Sequence, residues 1–244
     1  AGGRVELSSG WGTHVMSGEM RMKRDETPKQ RLRLRFSKGE RLKYISHLDL
    51  ARTWERAFRR AGLPVAHSQG FNPKPRMQIA AALPVGVTGR AEYLDVWLTE
   101  AVAPRDLESR LQSCLPPGLR VLHVEETDLR APALQSQMRS AEYRAEVQSQ
   151  EPTEAVCSRV QALLDATLLL RQRHHKGKLQ TYDLRPFIQT VTVDPGQKGG
   201  HVLTMHLQAS PKGAGRPDEV LKVLGLSLDP YTIERTNLCF EFDK

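Results

Sequence analysis

His47 and His67 flank a helical segment, with Tyr44 just upstream of the first. Two imidazoles can move protons to and from an RNA hydroxyl without a metal, because the ring titrates near neutrality and one can accept while the other donates. The same pair can equally be structural, His47 as part of a helix start. The second histidine opens "HSQGFNPKPR", which offers a different chemistry. Gln69, Asn72, Lys74 and Arg76 supply amide and cationic donors for phosphates and base edges, and Phe71 supplies a stacking face. Pro73 and Pro75 fix φ and Gly70 permits a turn, so the loop is pre-shaped and loses less entropy on binding than a slack one. A hairpin that merely needs this turn is the alternative. "GQKGGH" and "KGAGRP" read as turns rather than phosphate-binding loops.

These residues need a helix and strands to hold them. Ser46 is placed to cap a helix, with Asp49 at the capping-box position, and Leu50, Trp54, Ala57, Phe58 and Ala61 form its inward stripe. Arg52, Arg56, Arg59 and Arg60 fall on the opposite face, as phosphate contacts or as a solvated surface with Glu55. Before the helix, "RLRLRF" alternates Leu32, Leu34 and Phe36 with Arg31, Arg33 and Arg35, the period of a half-buried strand. Extended segments containing Tyr93, Asp95 and Trp97, a leucine-striped helix and another strand follow. The order strand, helix, strand, strand, helix, strand then recurs with an extra strand or hairpin.

The fold expected is therefore α+β, a tandem duplication of ferredoxin-like βαββαβ domains. A flexible tail occupies residues 1–30, the first domain 31–135 and the second 136–244. An open sheet face would present Arg31, Arg33 and Arg35 beside Tyr93, Asp95 and Trp97 as an RNA platform. Alternatively the open faces pack together, Trp97 joins a core and Asp95 pairs with an arginine. In "TYDLRPFI", Asp183 and Arg185 read as an ion pair fixing a bulge, or Arg185 as an anion contact.

The net charge of +8 and pI near 9.6 favour an anionic partner, nucleic acid first. No stretch reaches the roughly 20 apolar residues of a membrane span, so a cytoplasmic location without membrane contact is expected. Cys114, Cys157 and Cys239 are widely separated and point to no disulfide framework and no thiolate metal site; adjacent His174 and His175 would face opposite ways on a strand. No metal is expected on this chain. Ala1 stands where a methionine is expected, and Met16 is an alternative start.

The long run from Arg33 to Glu100, with "YDLRPFI" further on, resembles the radical-SAM-associated domain of unknown function DUF2344, a resemblance spanning residues 31–242. It implies an accessory protein working beside a cobalamin-binding radical SAM protein. The chain lacks CxxxCxxC, so the iron–sulfur cluster, S-adenosylmethionine and cobalamin are expected on that partner and no cofactor here. The reading that follows is a non-catalytic RNA- or nucleotide-binding accessory, with RNA or ribosome modification as its expected setting. Alternatives are a metal-independent endoribonuclease of the duplicated ferredoxin-like type and a pure protein-docking subunit. Candidate contacts are Arg33, Arg52, Arg56, Gln69, Phe71, Asn72, Lys74, Arg76 and Arg185, with His47 and His67 as the chemical pair.

Overall fold

The alternation and helical stripes resolve into β1 (Gln30–Lys38), α1 (His47–Arg60), β2 (Met77–Ile79), β3 (Val87–Leu98), α2 (Pro104–Gln112) and β4 (Leu119–Thr127). After a linker come α3 (Leu134–Gln137), β5 (Met138–Val147), α4 (Thr153–Asp165), β6 (Leu170–His175), β7 (Lys178–Asp183), β8 (Ile188–Pro195), β9 (His201–Ser210), β10 (Gly213–Ala214), α5 (Pro217–Val223) and β11 (Tyr231–Phe240). The computed structural model describes residues 27–243 apart from 70, 176, 197–198, 211–212 and 227–230. The expected tail falls almost wholly outside these. Its last residues are ordered, since Lys29 N–H donates to Leu98 O and Gln30 opens β1.

The fold is α+β, with a large, mostly antiparallel sheet ordered β10-β9-β5-β11-β3-β1-β4, β2 adding to β3 and β8 to β9. The first half lies in the order β4-β1-β3-β2 and the second in the order β11-β5-β9-β8, each antiparallel throughout. A short parallel pairing, Ile233–Arg235 alongside Val87–Gly89, joins the halves edge to edge. The alternative of two open faces packed together is therefore not the arrangement: the halves share one sheet. β6 and β7 form a separate hairpin.

Two cores follow from the patterning. Leu32, Leu34 and Phe36 of β1 meet Leu50, Trp54 and Phe58 of α1, with Leu107 and Leu111 of α2, and Phe36 packs edge-on against Trp54. The second core gathers α4, α5 and the strands of the second half, and also takes in Ala80, Leu83 and Val87. α1 starts as its sequence requires: Ser46 Oγ accepts from Asp49 N–H at 3.1 Å and donates to its carboxylate at 2.7 Å.

Where the halves meet, a buried ion pair lies beside the apolar contacts of Val87 and Ile233. Arg235 donates to Glu92 through Nε and Nη2 at 2.9 and 2.5 Å and reaches the carbonyls of Ala81 and Ala82. Burial alone would weaken the Arg235 charge, but Glu92 outweighs it and raises the guanidinium pKa above its usual value. Gly89 is needed beside this pair, because a Cβ there would lie 2.5 Å from Glu92 Oε1.

Candidate functional site

The arginines of β1 do not form an open platform. Asp95, wholly buried on β3, accepts from Arg31 Nε and Nη2 at 2.9 and 2.5 Å and from Arg33 Nε and Nη2 at 2.9 and 3.2 Å. Arg33 is also covered by the Phe242 ring, its guanidinium carbon 4.7 Å from the centroid. Register explains this: β1 runs antiparallel to β3 with Arg33 opposite Asp95 and Arg31 opposite Trp97, so one carboxylate faces two cations. Arg33 is thus corrected from an anion contact to a buried structural group; on this strand face Arg35 stays exposed.

Arg31 uses its remaining donors on the linker. Nη1 bonds Ala131 O at 2.6 Å and Nη2 bonds Pro132 O at 3.1 Å, which ties the chain between the halves to the sheet. The linker is fastened again where Gln78 Oε1 accepts from Leu134 N–H and Gln135 Nε2 donates to Ile79 O. Between this strap, β2 and the start of α1 opens a cleft of about 630 Å³ lined by Arg31, His47, Arg76, Gln78, Trp97 and Gln135 among others. Its size is within the range of small-ligand sites.

Trp97 organises the cleft. Two guanidiniums stack on its ring, Arg31 at 4.7 Å and Arg76 at 4.9 Å from the centroid. Stacking on a tryptophan face is favourable for a cation and restricts the long side chain to few rotamers. Arg76 remains exposed to solvent. It is therefore an exposed cation held in a defined position.

Arg76 also stands at the root of the loop singled out in the sequence. Its N–H donates to Ala66 O at 2.7 Å, Ser68 N–H donates to Lys74 O at 2.9 Å, and Lys74 N–H donates to Ser68 Oγ at 3.0 Å. The loop is a tied hairpin. Gln69, Asn72 and Lys74 are exposed around its tip and Phe71 is fully exposed.

The histidines are not brought together in the cleft. His47 lines it, whereas His67 forms a backbone bridge to Pro75 and is not among the lining residues. Burial, and then the Arg235 charge, lower the His47 pKa, and its Nδ1 is buried without a hydrogen-bond partner among the described residues. His47 is thus a neutral imidazole at pH 7. Because folding favours the neutral ring, its contribution to stability is full above the unfolded pKa of about 6.5 and is lost as pH falls through the lower folded value. Urea unfolding between pH 7 and 5 should show a steeper loss of stability in the parent than in His47→Gln; equal slopes would contradict this.

Arg52 and Arg56 lie exposed on α1, Arg52 in a 3.3 Å pair with Asp49. Arg185 is corrected on both readings. Its guanidinium donates to Leu164 O near the end of α4 and to Ile188 O, while Asp183 Oδ1 accepts from the N–H groups of Leu169 and Arg185. It satisfies a carbonyl in the last turn of α4 and one at the start of β8. Gln78, Gln135 and the 131–135 strap carried no sequence signal, since isolated glutamines in a short strand and a linker have no diagnostic spacing. A second, mostly apolar cleft of about 820 Å³ adjoins the first, sharing Ala133 and Gln135 and running along Ala80–Pro84 to Tyr143 and Arg216.

Fold and cleft together define an α+β module with a preset arginine beside a protruding hairpin. The family model described as "Uncharacterized protein conserved in bacteria (DUF2344)" matches residues 31–217, and the chain belongs to that family. No curated protein matches it. Among solved structures it is similar to a chain of a Cbf5-Nop10-Gar1 complex, with 11% identity and a TM-score of 0.45, covering 85% of this chain and 48% of that one. This chain thus spans about half the length of that structure. A protein described as a glycine cleavage system transcriptional repressor is similar at 10% identity and a TM-score of 0.22, covering 87% of this chain and 98% of that one. Among the described residues, no helix is long and apolar enough to cross a membrane.

Proposed function

We propose that this protein is a non-catalytic RNA-binding accessory, built from two ferredoxin-like units fused edge to edge, that works in the cytoplasm beside a cobalamin-binding radical SAM enzyme. The matching strand orders of the halves support the duplication. The partnership rests on the family resemblance of the sequence. RNA binding rests on one observation: an exposed Arg76, preset on Trp97, at the base of a tied hairpin whose tip carries Phe71.

The physical fit is to single-stranded RNA. A flexible strand offers phosphates to Arg76 and Lys74 and an unstacked base to Phe71, while the exposed amides of Gln69 and Asn72 can read base edges. A duplex keeps its bases stacked and gives Phe71 nothing to engage. His47 enters the cleft without His67, which favours binding over acid–base cleavage.

Ultraviolet crosslinking to 4-thiouridine-bearing single-stranded RNA, followed by peptide mapping, tests this. Crosslinks should concentrate on the 69–76 loop and disappear with Phe71→Ala. Crosslinks confined to the second half of the chain would place the RNA elsewhere.

A further inference from the structure

Glu142 on β5, His206 on β9 and Cys239 on β11 are distant in sequence, yet the sheet order makes their strands neighbours, with β5 in the middle. Glu142 pairs directly with His206, and Cys239 stands opposite Ser140, two residues along β5 from Glu142. A carboxylate oxygen, a ring nitrogen and the thiol sulfur all lie within 4.8 Å of one another. All three residues are half-buried. We propose that they form a zinc(II) site, separate from the cleft.

The donor set selects the ion. A thiolate and an imidazole beside one carboxylate suit a borderline-soft cation and disfavour calcium or magnesium, which prefer oxygen cages. Three protein ligands leave a position for water. The surroundings agree with this choice. Among the described residues no cation pairs with Glu142, and the nearest arginine on its strand, Arg144, is engaged by Glu146. In a chain of net charge +8, a half-buried carboxylate facing an imidazole and a thiol is matched by a bound cation better than by its protein neighbours. Ser140 Oγ lies 2.6 Å from His206 Nε2 and Asn237 Nδ2 lies 3.8 Å from Cys239 Sγ, outer contacts of the kind that orient a ligating ring and sulfur. Strand residues hold such ligands more firmly than loop residues.

Cobalt(II) titration of the chelator-stripped full chain, prepared without a polyhistidine tag, tests the site. The expected result is a thiolate-to-cobalt charge-transfer band with visible bands of four-coordinate cobalt, both abolished by zinc(II). Cys239→Ser should remove the charge-transfer band, whereas Cys114→Ser with Cys157→Ser should keep it. Glu142→Gln, a near-isosteric change, should weaken zinc binding at least about tenfold in calorimetry and carries the test if Cys239→Ser does not fold. No charge-transfer band in the parent, a band that survives Cys239→Ser, or unchanged zinc affinity in Glu142→Gln would each overturn the proposal.

Discussion

Asp95→Ala should cost about 3–5 kcal/mol of unfolding free energy, because it leaves Arg31 and Arg33 as buried cations without their shared carboxylate. The cost arises from what stays behind. Neither guanidinium can regain water, since Arg31 is 1% and Arg33 5% exposed. Loss should extend to the linker, because Arg31 positions both Asp95 and the carbonyls of Ala131 and Pro132. Urea unfolding should show the destabilisation, and proteolysis under native conditions should open the 128–137 segment first. Replacing Arg31, Arg33 and Asp95 together by apolar residues of similar volume should cost far less, as is known for buried ionic clusters. A loss below about 1 kcal/mol in Asp95→Ala would mean that water reaches the cluster.

Much of this was legible from residue pattern. The period of two in "RLRLRF" and the stripe of α1 gave β1, α1 and their shared core, because those patterns report directly on one buried face. Ser46 was readable as a cap, and the prolines around Lys74 as a shaped loop. The fate of the β1 arginines was not decided by pattern: alternation says that they share a face but not what covers it, and the cover is Asp95, the linker and Phe242. The pairing of Glu92 with Arg235, 143 residues apart, needs the edge-to-edge joint before it can be seen. Arg185 misled for a related reason, since a guanidinium spent on backbone carbonyls looks in sequence like one left for an anion.

The accessory role stands or falls with the cations at the hairpin root. Two phosphate contacts should be lost in Lys74→Glu plus Arg76→Glu, and affinity for RNA depends on salt through the number of phosphates neutralised. Both side chains are exposed, so the double change should leave the fold intact while replacing attraction by repulsion.

The deciding measurement is the affinity of labelled single-stranded RNA as a function of salt, for the parent and for this double variant. The parent should bind with a steep negative dependence of log affinity on log salt, and the variant should bind at least about tenfold more weakly with a slope shallower by about 1.4, at about 0.7 per phosphate on a single strand. Equal affinity and equal slope in the two proteins, or no binding by the parent at low salt, would contradict the account.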